Sequence, residues 1–296
     1  MTDPAPPIRT VGVVGAGQMG NGIAHVAALA GCDVILLDAK PEAVTAAIAT
    51  IGRNLDRQAA KGSITAGQRH EALGRIVPAP DYTAFAPCHI VIEAATERED
   101  IKRTIFAAII PHITQTCIVA TNTSSLSITR LAASTDRPQR FIGMHFFNPV
   151  PVMKLVELVR GMATSGDTFA ATEALAKRFG KTTTTSQDFP GFISNRILMP
   201  MINEAVYTLH EGVGSIEAID TTLKLGANHP MGPLELADFI GLDTCLAIMQ
   251  VLFHGLSDSK YRPCPLLAKY VEAGWMGRKS GRGFYDYTST PPRPTR

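Results

Sequence analysis

His145 and Glu157 are spaced so that a reversal of the chain between them would set an imidazole against a carboxylate. Such a pair is a general base with the group that orients it. The segment is His145-Phe146-Phe147-Asn148-Pro149-Val150-Pro151-Val152-Met153-Lys154-Leu155-Val156-Glu157-Leu158, apolar on both sides of two prolines that lack N–H donors and break regular pairing. Two extended stretches about a turn are expected. Residue 151 lies midway, so an antiparallel return would make His145 and Glu157 cross-strand neighbours within hydrogen-bonding reach. Glu157 is also the only carboxylate in Lys154–Val159, on one strand face with Leu155 and Val159, where its charge calls for a cation or donor. A structural histidine with a solvated edge glutamate is the alternative.

A second chemical pattern stands near the N-terminus. Gly15-Ala16-Gly17-Gln18-Met19-Gly20 leaves the apolar strand Thr10–Val14 and opens a helix that runs through Gly22–Ala30 to Gly31. Glycine permits the tight turn and close approach of a pyrophosphate, and the helix N-terminal amides stabilise the anion. A second strand, Val34–Asp38, follows and completes a βαβ unit. Eighteen residues past Gly20, Asp38 ends that strand, where a carboxylate can accept both ribose hydroxyls of an adenosine and would repel a 2′-phosphate. NAD is therefore the expected cofactor, bound by Gly15, Gly17, Gln18, Met19, Gly20 and Asp38, with FAD the competitor.

These groups need a scaffold. Further strands are expected at Ile90–Glu93, Cys117–Ala120 and Phe141–Met144, separated by helices at Glu99–Ile110 and Leu126–Ala133, an alternation that gives a doubly wound, mostly parallel sheet. After Thr182–Ser186 the character changes: Gly191–Leu209, Ser215–Leu225, Leu234–Phe253 and Pro265–Ala273 have helical spacing and no convincing strand. A boundary near Asp188-Phe189-Pro190 thus divides an α/β domain, 1–188, from a smaller all-helical domain, 189–296, with Thr288–Arg296 as a loose tail.

Other polar residues fall where open parallel sheets place their ligands. Asn122-Thr123-Ser124-Ser125 follows the strand at Cys117–Ala120, although helix capping, better suited to Ser125 or Ser127, is the other reading. Glu97 and Lys102 follow Ile90–Glu93, with a surface ion pair as their alternative. Asn195 sits among apolar helical residues, an unusual place for an amide without a partner. Arg53, Arg57 and Lys61 recur at helical spacing between Pro41 and Lys61, offset only by Asp56. This row is either a solvated face or a partner for a phosphate-bearing ligand.

Composition sets the limits. The chain has 296 residues, 45% hydrophobic and 18% charged, as in an ordinary two-domain globular protein. A net charge of +2 gives no reason to expect nucleic acid, and no run of eighteen apolar residues suggests a membrane span. Five cysteines without CxxC spacing read as free, buried thiols in a reducing compartment, and no metal is expected. Met1–Pro7 carries neither the basic start nor the apolar core of an export signal, so a cytoplasmic protein is expected.

From about Arg9 to Tyr287 the chain resembles the 3-hydroxyacyl-CoA dehydrogenase family, in particular its short-chain bacterial 3-hydroxybutyryl-CoA members. The motifs are GAGQMG at 15–20, Thr121-Asn122-Thr123-Ser124-Ser125-Leu126, HFFNPVPVMKLVE at 145–157, PGFISNRI at 190–197, LGANHPMGPLELADFIGLD at 225–243 and GRKSGRGFYDY at 277–287. The resemblance implies a Rossmann-type domain followed by a helical substrate and dimerisation domain. It makes His145 the base, Glu157 its partner, and Ser124 and Asn195 substrate contacts. Asp38, Glu97 and Lys102 match the family's NAD contacts, and Arg57 and Lys61, beside Arg53, match positions that hold CoA; Arg57 replaces a lysine of some relatives. The implied reaction is NAD-dependent oxidation of an (S)-3-hydroxyacyl-CoA to the 3-oxoacyl-CoA, or its reverse, in a homodimer. A free-hydroxyacid dehydrogenase of gulonate type would not need the cationic row, and a non-catalytic NAD-binding relative would not need the His145–Glu157 pair.

Overall fold

The computed structural model describes residues 8–296, so the expectation drawn from Met1–Pro7 lies outside the described residues. Val11, Val13 and Val14 of β1 (Thr10–Val14) are all buried, as a central parallel strand covered on both faces requires. The chain continues through α1 (Gln18–Leu29), β2 (Asp33–Leu37), α2 (Pro41–Ala60), α3 (Ala66–Gly74) and β3 (Ile76–Pro78). Then follow β4 (Ile90–Glu93), α4 (Glu99–Ile109), β5 (Ile118–Thr121), α5 (Ile128–Ala132), β6 (Phe141–Phe146), β7 (Leu155–Arg160), α6 (Gly166–Arg178) and β8 (Thr182–Gln187).

The eight strands form one sheet in the order β3-β2-β1-β4-β5-β6-β7-β8. Every pairing is parallel except β6 with β7. Strand order reverses at β1, so the crevice outside the carboxyl ends of β1 and β4 is the switch point at which such sheets bind ligands. Three elements carried weak sequence signals. Thr182–Gln187, polar and largely exposed, is the eighth strand, and three-residue β3 closes the other edge. Helix α3 begins with a capping box in which Thr65 and Gln68 satisfy each other's backbone amides.

The chain packs as two compact units, Met1–Phe189 and Pro190–Arg296. The second contains α7 (Ser194–His210), α8 (Ile216–Gly226), α9 (Pro233–Ile240), α10 (Leu242–Leu256) and α11 (Pro265–Glu272) around their own apolar core. No single helix among the described residues is long and apolar enough to cross a membrane. The segment Leu234–Phe253, expected to be helical, falls in two helices bent by 97°. The break is at Gly241, whose φ of 104° a side-chain-bearing residue rarely adopts.

The loose tail expected over Thr288–Arg296 is also corrected. Arg293–Pro294 pairs antiparallel with Tyr285–Asp286, and the Thr295 amide donates to Phe284 O over 2.9 Å. Asp238 anchors the preceding turn by accepting from the amides of Phe284 and Tyr285 and from the Tyr287 hydroxyl. Burial pushes its carboxyl up to about 6 despite those donors.

Candidate active site

The loop between β1 and α1 has the shape of a phosphate cradle. A Cβ at Gly20 would come 1.8 Å from Gly15 O, so the helix start can lie this close to the loop only without a side chain. At Gly17 a Cβ would stand in open space, which keeps room above the helix N-terminus for an approaching anion. Asp38 is built into the same loop: its Oδ2 accepts from the Ala16 amide at 2.7 Å and its Oδ1 from the Lys40 amide at 3.0 Å. The residues present therefore fit an NAD adenosine and pyrophosphate, with Gln18 and Met19 in the first turn of α1.

Beside the cradle, the ends of β4 and β5 hold a charge cluster in which Lys102, matched to a family NAD contact, is turned inward, and the alternative of a surface ion pair does not occur. Lys102 does not pair with Glu97 at the surface. Its ammonium is fully buried and donates to Glu93 Oε2 at 2.5 Å, Thr121 Oγ1 at 3.3 Å and Asn122 O at 3.1 Å. Three donors are thus engaged, and the buried cation is paired and hydrogen-bonded, as such burial demands. Glu97 instead gathers the 123–125 loop: its Oε1 accepts from Thr123 Oγ1 and from the amides and hydroxyls of Ser124 and Ser125, at 2.7–3.1 Å. Ser127 is the N-cap of α5, accepting from the Arg130 amide, so Ser124 is not needed for capping.

His145 and Glu157 are directly opposed in the β6–β7 ladder. His145 Nδ1 lies 2.8 Å from Glu157 Oε2, and the two residues are only 7% and 1% exposed. Because β8 covers the far side of β7, with Glu157 opposite Thr184, the solvated edge glutamate does not occur. A carboxylate at Nδ1 favours the tautomer that carries its proton there, leaving a lone pair on Nε2. Asn122 Oδ1 accepts from the Phe146 amide at 3.0 Å and so links the serine loop to the histidine strand.

The basic row lies on α2 and its C-cap, with Arg53, Arg57 and Lys61 exposed. Asp56, expected to offset it, pairs with Arg69 of α3 at 2.9 Å. Arg53 donates to Thr50 and Arg57 to Asn54, both neutral side chains. In the second unit, Asn195 is 7% exposed in the first turn of α7, which starts at Ser194, three residues later than expected.

Sequence reasoning missed Glu93, which ends an apolar strand and reads there as a strand residue, and Asp188, whose carboxylate accepts from the Ile128 and Thr129 amides and the Ser127 hydroxyl. It also missed Lys181. That ammonium, 7% exposed, donates to Val150 O and Met153 O inside the turn that joins β6 to β7. Only a lysine flanked by Gly180 and a threonine run marked it in the sequence.

Hydride exchange at a carbinol carbon needs a dinucleotide site with a base on the same side of the sheet, and here the cradle after β1 and His145 near the end of β6 lie along the carboxyl edge of one parallel run of strands. That arrangement defines an NAD-dependent dehydrogenase. Residues 10–189 match the NAD binding domain of 3-hydroxyacyl-CoA dehydrogenase and residues 191–287 its C-terminal domain, so the chain belongs to the 3-hydroxyacyl-CoA dehydrogenase family. It is 62% identical to a 3-hydroxybutyryl-CoA dehydrogenase of Bradyrhizobium diazoefficiens, over 98% of this chain and 99% of that one. A 3-hydroxyadipyl-CoA dehydrogenase of Escherichia coli is 41% identical over 95% of this chain and 59% of its own length. The crystal structure of (S)-3-hydroxybutyryl-CoA dehydrogenase from Ralstonia eutropha superposes with a TM-score of 0.93 at 53% identity, covering 95% of this chain and all of that one.

Proposed function

We propose that this chain interconverts (S)-3-hydroxyacyl-CoA and 3-oxoacyl-CoA with NAD, with 3-hydroxybutyryl-CoA as the working substrate. The observation that carries the reading is the buried His145–Glu157 pair, set by strand register at the sheet edge that also bears the cradle. Neutral His145 takes the hydroxyl proton at Nε2, while Glu157 fixes the ring and stabilises the imidazolium that results. NAD, when bound, supplies the hydride acceptor. Gly15, Gly17, Gln18, Met19, Gly20 and Asp38 hold it, Glu97 orders the adjoining loop, and buried Lys102 supports the strand ends from below.

Ser124 and Asn195 are assigned to the substrate oxygen, so that geometry is set before the chemical step. Arg53, Arg57 and Lys61 are assigned to the CoA phosphates. The loss of Asp56 to Arg69 supports this, because it leaves the row with more unbalanced positive charge. A free hydroxyacid gives such a row nothing to hold. Homodimerisation through the helical unit is part of the proposal, supported by apolar side chains such as Ile197, 67% exposed, and Leu225, 81% exposed. Five free, buried thiols fit cytoplasmic operation. Oxidation of NADH by acetoacetyl-CoA is the test. Turnover of a free 3-oxoacid at the same rate would replace this reading with the free-acid one.

A further inference from the structure

Within the first unit, α1, the end of α2, the Pro151–Lys154 turn and the α6–β8 junction line a solvent-open cavity of about 530 Å³. That volume is in the range of small-molecule sites. Its lining includes three cations, Lys154, Arg178 and Lys181, and no acid. None of the three forms an ion pair among the described residues. Lys181 is satisfied by the carbonyls of Val150 and Met153, and Arg178 by Ile8 O and the Cys32 sulfur. Carbonyl dipoles solvate a buried ammonium but do not neutralise it, so the cavity stays positive.

His25 adds a second observation. It lines the same cavity, is fully buried, and its Nδ1 has no hydrogen-bond partner, while Nε2 lies 3.3 Å from the Gln58 amide. Burial, with Lys181 nearby, holds the ring neutral at ordinary pH, so it supplies a hydrogen-bonding group rather than a charge.

We propose that this cavity is an organic-phosphate site for a ligand with at least two negative charges and an apolar ring, the chemistry of an adenosine phosphate. A monocarboxylate would leave two of three cations unbalanced and would not use Gln58, Ser63 or His25. Aliphatic and aromatic walls such as Leu29, Val152 and Phe179 suit the ring, and the cations suit the phosphates. Ser63 is two residues beyond Lys61, so the cavity adjoins the end of the basic row. The same chemistry can therefore come from a free adenine nucleotide or from the 3′-phospho-ADP end of a CoA thioester. The second source rests on the proposed function and the first does not.

The test is calorimetric titration of the full chain with adenosine 3′,5′-bisphosphate, with NADH saturating so that the cradle at Gly15–Gly20 is filled. Binding should weaken about tenfold in Lys154→Ala, whose side chain is exposed, and further with Arg178→Met added, as expected for lost charge-assisted contacts. Thermal melting of each variant reports whether the fold is kept. Competitive inhibition against acetoacetyl-CoA, with KM raised in Lys154→Ala, assigns the site to the thioester. Binding with KM unchanged assigns it to a free nucleotide, and that result stands even if acetoacetyl-CoA is not a substrate. No binding at millimolar ligand, or equal binding by wild type and a folded Lys154→Ala, overturns the proposal.

Discussion

Lys181 reaches from the start of β8 to the Met153 carbonyl, 2.7 Å away, and shares its ammonium with the carbonyl of Val150. Both acceptors lie in the turn between the strand that carries His145 and the strand that carries Glu157. The Thr182 amide adds a bond to Lys154 O at 2.7 Å, so the turn is tied from the side by backbone and side chain together. Strand register opposes His145 to Glu157, and Lys181 restrains the loop on which that register depends.

Lys181→Met should therefore destabilise the chain by about 1.5–3 kcal/mol, the worth of hydrogen bonds from a charged donor, in denaturant unfolding. It should also lower kcat with little change in KM for NADH. Lys181→Arg should recover part of the kcat loss by restoring donors to the turn. A folded Lys181→Met enzyme with wild-type kcat would remove this restraint from the catalytic account.

The pair itself gives the next expectation. His145→Gln should lose roughly 10²–10⁴-fold in kcat, the usual contribution of a positioned acid–base group, while NADH binding followed by fluorescence stays near wild type. Glu157→Gln should be slow as well, with a displaced pH–rate profile, because the imidazolium loses its carboxylate. Equal profiles for wild type and Glu157→Gln would separate the two residues in function despite their contact.

Asp38, proposed as the ribose contact, also anchors the cradle, because its carboxylate accepts from the Ala16 amide. Asp38→Ala should narrow the preference for NADH over NADPH by removing the repelling charge, and should weaken NADH binding because the loop loses an anchor. Steady-state ratios of kcat/KM for the two cofactors measure both effects. A native preference for NADPH would defeat the assignment.

His25 gives a pH expectation. Its folded value of about 4 lies below the ordinary 6.5, so the unfolded chain binds more protons between those values. Its stability contribution is complete above pH 6.5 and is lost as pH falls toward 4, by on the order of 3 kcal/mol at most. Asp238, raised to about 6, acts in the opposite sense, its contribution being lost as pH rises from 3.8 through 6. Urea unfolding of His25→Gln across that range should show a shallower acid loss than wild type. Parallel curves would mean that His25 titrates normally in the folded chain.

What could be read from the sequence follows from what each residue's partner distance allows. The His145–Glu157 opposition was legible because a two-residue period about a proline turn determines register, and the place of Asp38 because it follows directly on a short apolar strand that ends at Leu37. Thr182–Gln187 was not legible as a strand, since its residues are largely exposed and lack the apolar alternation that marks a strand. The burial of Lys102 was not legible, because its partner Glu93 looks like any strand end until the fold buries both. Asp188 lies sixty residues from the Ile128 amide it caps, beyond the reach of any local pattern.

The basic row provides the last expectation. Arg57 on α2 and Lys61 at its C-cap are exposed, and Asp56 is turned to Arg69, so the row should attract the phosphates of a CoA thioester more strongly than the sequence alone implied. Arg57→Ala with Lys61→Ala should raise KM for acetoacetyl-CoA by about an order of magnitude or more, as lost charge-assisted contacts of about 1.5–3 kcal/mol require. KM for NADH should stay near wild type, since the cradle and Asp38 are intact. Wild-type KM for the thioester should also rise with salt, and the double variant should respond less because fewer charges remain to be screened. If the double variant handles acetoacetyl-CoA like wild type at low ionic strength, the row is a solvated helix face, and any electrostatic hold on CoA must come from other cations.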